Sequence, residues 1–109
     1  MKLIVAVIHE RDQKRSSDAL LRAGFKFTKI ASTGGFLREG NVTMLIGAAE
    51  GELDTVLQII NDSSRTREQY VNVLPPEASP VGTFLTSPVK VQVGGAIAFV
   101  LDVERFERF

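Results

Sequence analysis

The chain has 109 residues, 44% of them hydrophobic and 24% charged, which indicates one globular domain over residues 1–109 rather than a disordered chain. Its 13 lysines and arginines balance its 13 aspartates and glutamates, so no net charge draws it to nucleic acid or an anionic membrane. It contains no cysteine and one histidine, which excludes disulfides, thiolate chemistry and a histidine-cluster metal site and favours the reducing cytoplasm.

The first predicted element is a strand over residues 2–8, where aliphatic and β-branched side chains follow one another without a break. The run is too short for a membrane span or a signal-peptide core, so we expect no membrane insertion. Asp12 is a candidate N-cap for a first helix that runs to Ala23, and Gly24 is typical of a helix C-terminus. A second strand is predicted from Phe25 to near Ser32.

Three glycines among residues 33–41 predict a flexible or tightly turned loop. A third strand is predicted over 42–46, with Gly47 ending it where another group can approach the backbone. A second helix is predicted from near Glu52, because apolar side chains then recur at helical spacing. These side chains are Leu53, Val56, Leu57 and Ile60.

The second half of the chain is predicted to be mainly extended. A short strand at 68–73 precedes a long loop at 74–88, which contains all four prolines. Alternating valines then predict a strand at 89–93, and the extended chain continues over 96–103 after a bend or bulge at Gly94-Gly95. The fold class is therefore α+β, a ferredoxin-like βαββαβ sandwich with an extra strand and long loops, and its two helices lie on one face of an antiparallel sheet.

Motifs of nucleophilic, phosphate-loop or zinc-dependent catalysis are absent from the sequence, so we expect no enzyme and no metal site. Glu50 and Glu52 could form a carboxylate pair, but beside a helix start they more simply complement the helix dipole. The basic residues are scattered among acids, without the aromatic and basic stripe of a nucleic-acid platform.

The loop at 33–41 concentrates the unusual features. Phe36 and Leu37 are apolar, and a purine nucleotide needs an apolar wall with nearby donors and cations. The candidate polar and basic neighbours are Lys26, Thr28, Lys29 and Arg38. Packing of the two apolar residues onto the domain's own core explains the pattern equally well. Spacing alone leaves both interpretations open.

A family resemblance favours the ligand-binding interpretation. The segments that carry it are Thr28 to Asn41 with its Thr-Gly-Gly-Phe-Leu-Arg-Glu-Gly-Asn core, Gly47, Arg67-Glu68, and the Val-Gly-Gly-Ala-Ile-Ala-Phe-Val segment from Val93. Together they resemble the PII-like cyclic-di-AMP receptor family over nearly the whole chain. The resemblance implies a cytoplasmic ferredoxin-like homotrimer that binds a cyclic dinucleotide in clefts between subunits and signals to a protein target that the sequence does not name.

The resemblance also implies nine ligand-binding residues: Lys26, Thr28, Gly35, Phe36, Leu37, Asn41, Gly47, Phe99 and Arg108. Phe36 and Leu37 would give one adenine apolar contact, while Asn41 or nearby backbone, including Gly35, reads the base edge. Lys26 and Thr28 would face phosphates and ribose.

Gly47 would leave room for a base, and Phe99 and Arg108 would close the site, from the neighbouring subunit if the cleft is shared. Three positions depart from the family pattern: Gly24 stands where Asn is usual, Lys26 where Arg is usual, and Arg108 where Gln is usual. Lysine keeps the charge of arginine but loses its planar fork.

The leading hypothesis is therefore a cyclic di-AMP sensor without a further cofactor, in which binding reorders loops that contact a partner. The alternative is a PII-like interaction module that binds another adenine nucleotide or no nucleotide. A small enzyme or metal binder that uses the same clefts is the third hypothesis.

Overall fold

In this computed structural model, the described part of the chain comprises residues 1–35, 40–72 and 88–109, with the side chains of 71, 72 and 88 excepted. The strands are β1 (Lys2–His9), β2 (Phe27–Ser32), β3 (Asn41–Ala48), β4 (Arg67–Asn72), β5 (Pro88–Val93) and β6 (Ala96–Asp102). The helices are α1 (Gln13–Arg22) and α2 (Leu53–Ser64), preceded by short 3-10 turns at Glu10–Asp12 and Glu50–Glu52. The predicted βαββαβ-like order is confirmed, and in the described part of the chain two extra strands, rather than the one predicted, precede the last strand.

Four strands form one antiparallel sheet in the order β2-β3-β1-β6. The aliphatic run of β1 occupies a central position, so Val5 faces Leu45 of β3 on one side and Phe99 of β6 on the other. All neighbouring strands are antiparallel, and each helix lies between two strands that run parallel but are not neighbours, as in the predicted ferredoxin-like fold.

Both helices pack on one face of this sheet. Ile4, Ala6 and Ile8 of β1 are fully buried there, against Leu20 of α1 and Val56 of α2. Burial of each large aliphatic side chain contributes about 1.5–3 kcal/mol, so this layer supplies much of the stability of the domain. The other members of the core are Phe25, Met44, Ile46, Ala48 and Ile60.

The opposite face of the sheet, here called the open face, is also largely apolar. Because successive strand residues alternate sides, it carries Leu3, Val5 and Val7 of β1. Their cross-strand partners on β6 include Phe99 and Leu101, which are 43% and 47% exposed. Both helices lie on the other side of the sheet, so the open face presents these side chains to the surroundings of the subunit.

Strands β4 and β5 pair with each other in a separate two-stranded sheet, which we call the hairpin. The sequence predicted one continuous extended chain from 89 to 103, whereas β5 belongs to the hairpin and β6 to the main sheet. The change of sheet occurs at Gly94 and Gly95, whose backbone φ angles are +82° and +98°. Glycine adopts this left-handed region without a Cβ penalty. Of the predicted loop 74–88, only Pro88 falls within the described residues, and it begins β5.

The ends of α1 correct one prediction and confirm another. Asp12 occupies the N-cap position, but its side chain makes no capping hydrogen bond and instead binds Arg67. Gly24 follows the helix with φ of +88°, and its N–H donates to the Leu21 carbonyl over 3.0 Å, as expected of a helix C-terminus. Strand β3 continues through Gly47 to Ala48, two residues beyond Ile46, the last residue of the predicted strand.

Candidate functional site

A cavity of about 350 Å³ lies where the loop after β2 meets the open face, and we call it the loop cavity. Val5 and Val7 give it an apolar floor, and Phe99 of β6 forms an aromatic side. Gly34 and Gly35 of the loop complete the lining with Ser32, Thr33, Asn41 and Thr43. Apolar walls with a few convergent polar groups are typical of small-molecule sites.

Hydrogen bonds fix the polar side of the loop cavity. The Ser32 hydroxyl donates to Asn41 Oδ1 over 2.5 Å, and the Ser32 and Thr43 hydroxyl oxygens lie 2.8 Å apart. Because the single Ser32 proton is used on Asn41, Thr43 must be the donor to Ser32. The relay from Thr43 through Ser32 sets the orientation of the Asn41 amide, whose residue is only 5% exposed.

A second cavity, of about 520 Å³, lies at the other end of the sheet beside the C-terminal tail, and we call it the tail cavity. Its apolar lining includes Leu3 and Phe106, and Gly47 of β3 leaves an open wall with no atom within 4 Å of where a Cβ would stand. Lys26 and Arg108 bring two cationic side chains to it. Cations beside apolar surface are arranged to hold a phosphate next to a base.

The predicted site residues therefore fall into two groups within one subunit. Gly35, Asn41 and Phe99 line the loop cavity. The other group lines the tail cavity and consists of Lys26, Gly47 and Arg108. Thr28 lies on the open face between them, opposite Leu45, and Phe36 and Leu37 fall outside the described residues.

Asn41 and Gly47 are six residues apart on β3, about 20 Å at roughly 3.3 Å per strand residue. The two cavities of one subunit are thus at opposite ends of its sheet. Lys29, a neighbour of Thr28, is not directed to either cavity, because its Nζ donates to Gln13 Oε1 over 3.0 Å on the helix side.

Several lining residues escaped the sequence analysis. Val5 and Val7 look like ordinary core residues of a central strand, and only the one-sided placement of the helices exposes them to a cavity. Ser32 and Thr43 lie on neighbouring strands, and their contact depends on the β2–β3 register, which short hydroxyl residues do not reveal in sequence. Alternation along β1 was the one available signal, since it places both valines on the same face.

Comparison with known proteins assigns the chain to a family. The model of the cyclic-di-AMP receptor family matches residues 1–109. The chain belongs to the cyclic-di-AMP receptor family. The crystal structure of a functionally unknown protein from Pediococcus pentosaceus is similar to this receptor with a TM-score of 0.79 and 40% identity, over 99% of this chain and 96% of that one.

The fold extends to PII proteins. The crystal structure of Arabidopsis thaliana PII bound to citrate matches the receptor with a TM-score of 0.61 and 19% identity, over 94% of this chain and 73% of that one. This likeness confirms the predicted PII-like fold. Among the described residues, neither helix of the receptor has the length and apolarity needed to cross a membrane, and no cluster of three or more potential metal ligands occurs there.

The three positions that the sequence analysis expects to depart from the family pattern have a visible setting in the receptor. Gly24 ends α1 in the left-handed conformation, which Asn adopts more readily than most other residues, so either residue can serve the backbone at this position. Lys26 and Arg108 line the same cavity, so the weaker geometric fit of lysine is accompanied by a guanidinium that can form a planar fork.

Proposed function

We propose that this receptor binds cyclic di-AMP in clefts between the subunits of a homotrimer, reorders loops that contact a partner protein, and catalyses no reaction. The observation that carries the proposal is the pair of complementary cavities at the two ends of one sheet face. Phe99 and the Asn41 amide of the loop cavity are suited to a purine, whereas Lys26 and Arg108 of the tail cavity are suited to phosphate. Family membership supports the choice of ligand.

The separation of Asn41 from Gly47 along β3 favours a site shared by two subunits. About 20 Å of β3 separates Asn41 from Gly47, so one subunit offers its two groups of residues at separate places. If neighbouring subunits pack with the loop cavity of one against the tail cavity of the next, a purine wall and a phosphate-binding pair meet in a single cleft. Closed ring symmetry repeats such a contact at every interface.

The open face supplies a reason to associate. Leu3, Val5 and Leu101 form part of an apolar sheet surface that the subunit's own helices leave uncovered. Burial of such a surface contributes about 25 cal/mol per Å² removed from water, which stabilises association. We assign this face to the interior of the trimer, and we propose a cytoplasmic location because a cysteine-free sequence is suited to a reducing compartment.

Within each cleft we assign the residues separate roles. Gly35, Phe36, Leu37 and Asn41 bind one adenine, with the Thr43–Ser32 relay holding the Asn41 amide in position. Thr28 and Lys26 face the ribose and phosphates. Gly47 leaves room for a base, and Phe99 and Arg108 close the cleft.

Calorimetric titration of the purified protein with cyclic di-AMP tests this proposal, with cyclic di-GMP, ATP and AMP as competing ligands. We expect saturable binding near one dinucleotide per subunit, with selectivity for cyclic di-AMP. Phe99→Ala removes an aromatic wall and should weaken binding by about tenfold, since an aromatic stacking contact contributes on the order of 1–3 kcal/mol.

Val100→Ala is the matched control. Val100 is the next residue on β6, is also 43% exposed, and points to the opposite face of the sheet, so its truncation should leave the affinity unchanged. Absence of cyclic di-AMP binding at tens of micromolar would refute the proposal. Tighter binding of ATP or AMP would favour the PII-like module with another adenine ligand.

A further inference from the structure

The 3-10 turn Glu10–Asp12, between β1 and α1, contacts two segments that are distant in sequence. On one side the Glu10 N–H donates to the Gly40 carbonyl over 3.0 Å, at the end of the 33–40 loop. On the other side Asp12 binds Arg67, the first residue of the hairpin. The loop that borders the loop cavity and the base of the hairpin are thus joined through three consecutive residues.

The contact on the hairpin side is a paired ionic hydrogen bond. Arg67 Nη2 donates to Asp12 Oδ1 over 2.8 Å and Nη1 to Oδ2 over 3.1 Å, which is the two-pronged geometry of a guanidinium on a carboxylate. Arg15 adds a bond to Oδ1 over 3.2 Å. Asp12 is only 2% exposed, so solvent does not substitute easily for these partners.

Electrostatics agree with this geometry. Burial is the largest single influence on Asp12 and raises its pKa, but hydrogen bonding to Arg67 and the charges of Arg67, Arg15 and His9 together outweigh it. The net result is an Asp12 pKa below the ordinary aspartate value, so the carboxylate is ionised at neutral pH and the contact with the hairpin is maintained.

The second strand of the hairpin reaches the same point. Gly94, which follows β5, lies so close that a Cβ atom on it would stand 2.5 Å from Arg67 Nη1 and 3.1 Å from Asp12 Oδ2. Its neighbour Gly95 donates its N–H to the Ser64 carbonyl at the end of α2. The start of β4, through Arg67, and the end of β5, through Gly94, therefore both contact Asp12 or its ion pair.

We propose that the Glu10–Asp12 turn transmits the ligand state of the loop cavity to the hairpin. The inference rests on the proposed function, since it takes occupation of the loop cavity as the signal. A ligand held by Asn41 restrains its neighbour Gly40, the Gly40–Glu10 hydrogen bond restrains the turn, and the buried pair with Arg67 restrains the hairpin. Coupling of this kind is reciprocal, so loosening the hairpin must also weaken the loop contact.

Amide hydrogen exchange without any ligand tests the physical connection. The variant Arg67→Lys keeps the charge but removes the two-pronged contact. We expect the Glu10 amide and the hairpin amides at 67–72 and 89–93 to exchange about tenfold faster, the factor that corresponds to loss of roughly one charge-assisted hydrogen bond. Amides of the β1–β3 ladder serve as the internal reference for global unfolding.

The matched control is Glu68→Gln. It breaks the 2.9 Å pair between Glu68 and Lys90, which lies wholly within the hairpin and does not touch the turn. In this variant the Glu10 amide should exchange as in the wild type. An unchanged Glu10 amide in Arg67→Lys, relative to the β1–β3 ladder, would overturn the proposed connection.

The second arm adds cyclic di-AMP. In the wild type, binding should slow exchange in the hairpin. In Arg67→Lys, calorimetry should still detect binding, but the protection of the hairpin should be lost. Binding to the wild type without a change in the hairpin would overturn the inference. Failure of the wild type to bind refutes the proposed function instead, and the ligand-free arm then decides whether the turn connects the two segments.

Discussion

The substitution Gly94→Ala places a methyl group where the hairpin crosses the Asp12–Arg67 pair. Gly94 has a φ of +82°, which an alanine adopts only with strain. The added Cβ would also lie 2.9 Å from the Arg65 carbonyl oxygen. That oxygen belongs to the backbone and cannot rotate away as the Arg67 side chain can, so the chain itself must shift.

The expected cost is the sum of two effects. Left-handed backbone strain contributes about 1–2 kcal/mol for a residue with a Cβ. Displacement of Arg67 from Asp12 removes charge-assisted hydrogen bonds, which contribute about 1.5–3 kcal/mol. The free energy of unfolding should therefore fall by about 2.5–5 kcal/mol, a large part of the roughly 5–15 kcal/mol typical of a domain.

Gly24→Ala separates the two effects. Gly24 has nearly the same φ, +88°, but no atom lies within 4 Å of its added Cβ, so only the backbone strain applies. Urea unfolding followed by circular dichroism should show the smaller loss for Gly24→Ala, with all proteins at one concentration because subunit association affects apparent stability. Equal losses in the two variants would refute the reasoning, since they would show that the crowding at Gly94 has no energetic consequence.

Three further outcomes are expected. Asp12→Asn should lower the free energy of unfolding by about 1.5–3 kcal/mol at neutral pH. Because the Asp12 pKa is lowered in the folded protein, the ion pair stabilises the fold above about pH 4 and is lost as the pH falls through the folded-state pKa of Asp12. Urea unfolding at a series of pH values should therefore show the difference between the two proteins shrinking below about pH 4. An acid dependence identical in both proteins would contradict this. Ser32→Ala should weaken cyclic di-AMP binding about three- to tenfold in calorimetry, because the hydrogen bond that orients the Asn41 amide is lost. An unchanged affinity would show that the Asn41 amide does not depend on this hydrogen bond. Leu101→Asp on the open face should yield monomers in sedimentation velocity, whereas the control Val89→Asp on the hairpin should not. An unaltered assembly in Leu101→Asp would show that the open face does not form the trimer interface.

The sequence was sufficient for the elements whose signals are local. The aliphatic run of β1, the helical spacing of α2 and the glycine at the end of α1 each depend on neighbouring residues, and all three predictions are confirmed. The sequence did not predict that the chain leaves one sheet at Gly94 and enters the other, because glycines at these positions fit a bend within one strand equally well. The difference depends on the pairing of β5 with β4.

The site was predicted less completely, for a related reason. Resemblance named Asn41 and Phe99, which the structure brings to one cavity, but Ser32 enters only through the register of β2 on β3. Asp12 was predicted to be an N-cap because that role is read from the residues that follow it. Its two-pronged partner, Arg67, lies 55 residues away, and no local sequence pattern predicts such a contact.

The two glycine pairs that carry the family resemblance have different physical settings. Gly34 and Gly35 border the loop cavity, where the absence of side chains leaves room for a ligand. Gly94 and Gly95 are instead required by close packing, against the Asp12–Arg67 pair and Thr66. Under the proposed coupling, the second pair therefore contributes to signalling without touching a nucleotide, because it permits the hairpin to pack on the turn that also contacts Gly40. A variant at Gly94 should accordingly retain cyclic di-AMP binding better than it retains the response of the hairpin.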